Sequence, residues 1–189
     1  MKVSGIWWRW AGGTIVAFWL SLLWVEVGDR AELKPLDAII GAGIMSVTQA
    51  LVIYPHCKRI GAWILFTVGG WWILTLVGGG ALGWFIPNTG AWHLRCLWGE
   101  IFGIAGGFWL GLCQSIALRL PFAVSRIWVG INALSWSVGL ALGWSAGAIL
   151  KSMTGLYISE VIGLSLTWLV VGVSTGFVWG QWLNFSVKA

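Results

Sequence analysis

The sequence predicts an all-α polytopic membrane protein with six transmembrane helices, and three observations carry that prediction. Of its 189 residues, 59% are hydrophobic and 9% are charged, against roughly 25% charge in soluble domains. Mean hydropathy is +0.88, and apolar windows reach the roughly 20 residues that a helix needs to cross hydrocarbon. Glycines and hydroxyl residues recur inside those windows, which weakens a soluble helix but suits close packing in lipid. The whole of 1–189 reads as one transmembrane domain.

The expected crossings are 10–27, 38–54, 60–84, 101–118, 127–149 and 161–186. The first is expected to be retained, because "MKVSGIWWRWAGG" lacks a small-residue cleavage site and Arg9 interrupts its aromatic start. Pro35, Pro55, Pro87 and Pro121 fall at junctions, where a missing amide donor does least harm. Gly69-Gly70 and Gly78-Gly79-Gly80, inside the third crossing, read as packing or bending devices.

Charge sets an expected orientation. Lys2, Arg9, Lys58, Arg59, Arg119, Arg126 and Lys188 fall on one side without an acid. Arg30, Lys34, Arg95 and Lys151 share the other side with Glu26, Asp29, Glu32, Asp37, Glu100 and Glu160. The basic excess places both termini in the cytoplasm, or on its topological equivalent in an internal membrane. Lys58, Arg59, Arg119 and Arg126 then form a basic membrane face for anionic lipid heads or a membrane-protein partner. The net charge of +5 needs no nucleic acid to explain it.

Eighteen tryptophans are present, more than headgroup anchoring alone requires. Trp7, Trp8, Trp10, Trp24, Trp84, Trp92, Trp98 and Trp182 lie near expected helix ends, where indoles anchor. Trp19, Trp71, Trp72, Trp136 and Trp168 lie deeper. Of these, Trp71, Trp72, Trp136 and Trp168 either pack against helices and lipid or form an aromatic platform for a flat ligand.

An internal repeat emerges at an offset of 65, which aligns Gly41 with Gly106, Gln49 with Gln114, Trp63 with Trp128, Trp71 with Trp136 and Gly78 with Gly143. Gln181 lies 67 residues beyond Gln114 and extends the pattern to three helical hairpins, 6–54, 60–118 and 127–187. Counting back from each glutamine, Ala42, Gly107 and Ser174 lie seven positions earlier, and Ser46, Gly111 and Val178 three. Helical spacing puts each set on one face. Gln49, Gln114 and Gln181, with Ser46, Gly111 and Ser174, are therefore expected at a helix interface or a ligand contact, since an amide avoids lipid by bonding across helices.

Reactive constellations are sparse. His93 and Cys96 supply two donors without a third, too few for a metal site. The acids sit at expected helix ends, where Glu100 and Glu160 suit helix amino termini. No deep crossing holds an ionisable residue, and no hydrolase, zinc-protease or phosphate-loop motif occurs. No catalytic residue or metal is assigned, and enzymatic activity is not expected.

The paired-helix glutamines, "GLCQSIALR" and the basic boundary resemble small multi-pass membrane proteins of cyanobacterial type. That resemblance implies a photosynthetic membrane setting, with chlorophyll, carotenoid or bound lipid as the group held. It makes His56 and His93, like the glutamines, possible pigment contacts, beside ordinary hydrogen bonding. The expected function is a noncatalytic scaffold or accessory subunit of a photosynthetic or other energy-converting complex. The alternative is a small-molecule transporter, because size and crossing count also resemble the substrate-binding membrane component of vitamin transporters.

Overall fold

The computed structural model describes residues 5–28, 34–79 and 81–186, with side chains placed through Trp182. Six helices follow one another: α1 (Ile6–Ser21), α2 (Pro35–Ile53), α3 (Ile60–Leu76), α4 (Trp92–Leu118), α5 (Phe122–Thr154) and α6 (Ile158–Ser186). The prolines act where expected. Pro35 opens α2, Pro55 lies in a short 3-10 turn at Tyr54–His56, and Pro121 precedes α5.

The expectation of six transmembrane helices is corrected to four. Among the described residues, Pro35–His56, Trp92–Leu118, Phe122–Thr154 and Ile158–Trp182 are long and apolar enough to cross a membrane. With α1 at 16 residues and α3 at 17, each reaches only about 24–26 Å, at ~1.5 Å per residue, against a hydrocarbon core of about 30 Å. The chain is an integral membrane protein, all-α and multi-pass, with two shorter helices beside four of full length.

The third crossing falls short for a local reason. The chain leaves the helix after Leu76, and Gly78 takes a φ of 83°, a backbone conformation that costs glycine nothing and other residues strain. The glycine run thus ends the helix. Conversely, α4 begins at Trp92, nine residues before the expected 101, because Arg95 enters the protein interior with a partner instead of marking a loop.

Each helix packs mainly on its chain neighbours, and α6 packs back on α1. The six therefore close into a ring. Glycines set the tightest seam, between α4 and α5. Gly99, Gly103, Gly107 and Gly111 recur every fourth residue on α4, and a Cβ on Gly99 would lie 2.5 Å from the Ala141 amide nitrogen. At Gly107 it would lie 2.5 Å from the Asn132 carbonyl oxygen. Such backbone approach is how membrane helices gain van der Waals contact when lipid is as apolar as the protein.

The ring is filled by indoles in two layers. Near the terminal end, Trp10, Trp63, Trp128 and Trp179 form one cluster with ring centroids 5.6–6.2 Å apart. Deeper, Trp71, Trp84, Trp136 and Trp168 form a second at 4.9–6.2 Å. Trp84 arrives from the α3–α4 connection, which folds into the ring with Ala81, Leu82, Phe85 and Ile86 buried beside it. Its carbonyls receive other indoles: Trp168 Nε1 donates to Gly83 O at 3.0 Å and Trp144 Nε1 to Phe85 O at 2.9 Å. Trp84 Nε1 donates to Ser21 Oγ at 2.7 Å. A parallel bridge between Gly28 and Phe85 ties this plug to the α1–α2 connection.

Trp10 and Trp84, expected as headgroup anchors, are wholly inside, and Trp19 and Trp72, expected at depth, are exposed on the outer surface of the ring. Depth along a helix did not decide the matter; the face did. Inside, Trp10 and Trp84 gain what lipid cannot offer, an acceptor for the indole N–H.

Candidate functional site

Between the two indole layers lies a polar one. Gln49 Nε2 donates to Thr14 Oγ1 at 3.4 Å, and Gln114 Nε2 to Thr67 Oγ1 at 3.5 Å. Trp128 Nε1 donates to Gln114 Oε1 at 3.1 Å, and Trp10 Nε1 to Thr175 Oγ1 at 2.9 Å. Asn132 donates to the Trp128 carbonyl at 2.9 Å. Gln49, Gln114, Thr67, Asn132 and Thr175 line a central void of about 20 Å³.

The inward register explains this layer. Trp10, Thr14 and Phe18 on α1 occupy the same relative positions as Trp63, Thr67 and Trp71 on α3, and as Trp128, Asn132 and Trp136 on α5. On the even helices, Met45, Ser46 and Gln49 correspond to Leu110, Gly111 and Gln114, and then to Val171, Gly172 and Thr175. Thr175, not Gln181, is the third member. Gln181 is exposed and Ser174 is half-buried, its hydroxyl donating to the Val170 carbonyl at 2.8 Å. Three carboxamides do not meet; two do, with a threonine. Six residues of shift along α6 moved Gln181 off the inner face.

Ser46 is buried and donates to the Gly43 carbonyl at 3.1 Å, and Gly111 packs on Val129 and Asn132. Of the aromatic platform, Trp71, Trp136 and Trp168 pack on one another while Trp72 is 44% exposed. The repeat pair Gly78 and Gly143 parts company, one in a turn and one within α5.

The basic residues lie at the terminal end of the ring. Lys58, Arg119 and Arg126 are exposed, with Arg126 5.1 Å above the Phe122 ring. Arg59 is half-buried and its Nη1 finds no acceptor among the described residues. His56 and His93 are exposed on opposite ends, His93 edge-on to Trp92. Cys96 Sγ lies 3.9 Å from Glu100 Oε1, and no group of three or more metal-binding side chains occurs among the described residues. Asp29 and Glu32 of the acidic rim, with Lys2, Arg30 and Lys188, lie outside the described residues.

A second site gathers residues that the sequence marks only as orientation charges and a helix-end acid. Arg95, 4% exposed, and Glu160, 2% exposed, form a two-pronged ion pair: Nη1 to Oε2 at 2.6 Å and Nη2 to Oε1 at 3.0 Å. Arg95 Nε also donates to Thr89 O at 2.6 Å, and Lys151 Nζ lies 3.3 Å from Glu160 Oε1. These three charges line a cavity of about 400 Å³ at the loop end of the ring, walled by Ile86, Pro87 and Ala148. Its sequence signal was the extended apolar run around Arg95, which reads as helix once a partner for the cation is allowed.

No protein-family model matches the chain, and no curated protein or solved structure matches it.

Proposed function

We propose that the chain is a noncatalytic membrane scaffold or accessory subunit. The observation that carries this reading is the filled ring: two indole layers enclose a void of only about 20 Å³. One water needs ~10–15 Å³ of such space, so the centre accommodates little more than that. A permeation route would have to part both layers. Meanwhile the outer surface presents large apolar residues such as Val16, Leu51, Leu65, Ile104, Leu134 and Phe177, a face suited to lipid and to partner helices.

In this reading the basic end, with Lys58, Arg59, Arg119 and Arg126, faces the cytoplasm under the positive-inside rule. A photosynthetic complex in a thylakoid or plasma membrane is the setting we propose, with chlorophyll or carotenoid held on outer aromatic faces such as Trp72. Native extraction in mild detergent followed by mass analysis tests it. The expected result is a chain that travels with a larger membrane complex; an absorption spectrum of that complex tests the pigment. A chain that migrates alone under several mild detergents overturns the scaffold reading. Small-molecule capture is a second reading, favoured by the loop-end cavity.

A further inference from the structure

We propose that the loop-end cavity seats a singly charged phosphate group, carried either by an anionic lipid headgroup or by a free phosphate. The argument is one of charge and unspent donors. Arg95 and Lys151 face one carboxylate, Glu160, which leaves one positive charge in surplus among the described residues. A guanidinium has five N–H donors. Four are placed, on Thr89 O, Trp144 O and the two oxygens of Glu160. The fifth, on Nη2, remains among the described residues, and the Lys151 ammonium, 5.3 Å from the centroid of the Tyr157 ring that also lines the cavity, has N–H donors beyond its contact with Glu160.

Glu160 fixes Arg95 in position before any ligand arrives, so an incoming anion meets a rigid donor. Lys151 is 44% exposed on its side chain and supplies the second, adjustable contact. Oxygens arranged tetrahedrally can accept from two cations that line one cavity, as Arg95 and Lys151 do. The volume of about 400 Å³ falls within the roughly 300–1,000 Å³ of small-ligand pockets. Ile86, Pro87 and Ala148 give the remaining ligand atoms an apolar wall, and exposed Met153 at the end of α5 and Leu156 on the α5–α6 turn offer an apolar surface at this end. The inference stands apart from the scaffold reading, whose failure would leave it untouched.

Binding of dioctanoyl phosphatidylglycerol and of inorganic phosphate to the purified full chain in neutral detergent tests it, by calorimetry and thermal shift. At least one probe is expected to bind, with Lys151→Gln weakening it fivefold or more and Lys151→Arg staying within about threefold, as expected for a cation held in partly screened surroundings. Phosphatidylglycerol alone binding identifies a headgroup site; inorganic phosphate binding, or competing with the lipid, identifies a free-anion site. Lys151→Gln sits on an exposed side chain and leaves the Arg95–Glu160 pair intact, so a folded variant is expected. Equal affinity of wild type and folded Lys151→Gln for both probes overturns the proposal, as does no binding of either at millimolar concentration.

Discussion

Trp128 donates its indole N–H to Gln114 at 3.1 Å, whereas Trp63, at the corresponding position on α3 and in the same cluster, is buried and its N–H finds no partner among the described residues. One register therefore holds two different energetic situations. Trp128→Phe removes a hydrogen bond and leaves a buried carbonyl unanswered, at an expected cost of about 1–2 kcal/mol beyond the loss of packing. Trp63→Phe removes a donor with nothing to bond, so its cost is expected to be smaller by about that amount. Thermal unfolding of both variants in one detergent reads the difference; a Trp63→Phe loss equal to that of Trp128→Phe contradicts it.

The Arg95–Glu160 pair predicts a contrast between single and double replacement. Removing Glu160 strands the buried Arg95 guanidinium, so Glu160→Ala is expected to cost about 3–5 kcal/mol, whereas Arg95→Ala leaves Glu160 paired with Lys151 and is expected to cost less. Replacing both by apolar residues of similar size, as in Arg95→Met with Glu160→Leu, is expected to recover most of that loss. Unfolding transitions of the three variants check the order, and an additive double variant refutes it.

Substituting Gly103 tests the α4–α5 seam. A Cβ there would run into the backbone of Ser137 and Trp136, atoms that cannot rotate away. Gly103→Ala is expected to push the helices apart at a cost of about 2 kcal/mol or more. Gly130→Ala, at a position with no heavy atom within 4 Å of the added Cβ, is expected to stabilise slightly through helix propensity, by ~1 kcal/mol or less. Comparing melting temperatures of the two alanine variants is sufficient.

The glutamines separate by burial. Gln114→Leu is expected to destabilise by about 1–3 kcal/mol, since it leaves Trp128 Nε1 without its acceptor. Gln49→Leu breaks a longer contact and costs less. Gln181→Leu, on the outer surface, is expected to change stability by no more than about 0.5 kcal/mol. A large loss on Gln181→Leu would show that the third repeat was wrongly placed on Thr175.

What the sequence made legible was local. Apolar length disclosed membrane helices; of the residues aligned at an offset of 65, Gln49 and Gln114 line one void and Trp63 and Trp128 share one cluster. The third repeat was not legible by matching identical residues, because polarity is retained there by a threonine in place of a glutamine. Its smaller side chain suffices where Trp10 reaches across to it. The plug was hidden too. An apolar run continues past Leu76 in the sequence, but the helix ends there, Gly78 takes a positive φ, and described residues beyond it accept from indole donors. Arg95 misled for the opposite reason: a lone cation resembles a loop marker until a distant carboxylate, 65 residues on, neutralises it.

Closure of α6 upon α1, with Gly172 against Ala11 and Thr14 and Gly176 against Trp7 and Trp10, has a consequence for biosynthesis. Because α1 is made before α6, it acquires one of its two flanking neighbours only after α6 has been synthesised. Until then Trp10 lacks the Thr175 acceptor and its flank stands open to the bilayer. Chains arrested before α6 should hold α1 loosely, leaving it accessible to insertion-stage chaperones, and release it once α6 docks.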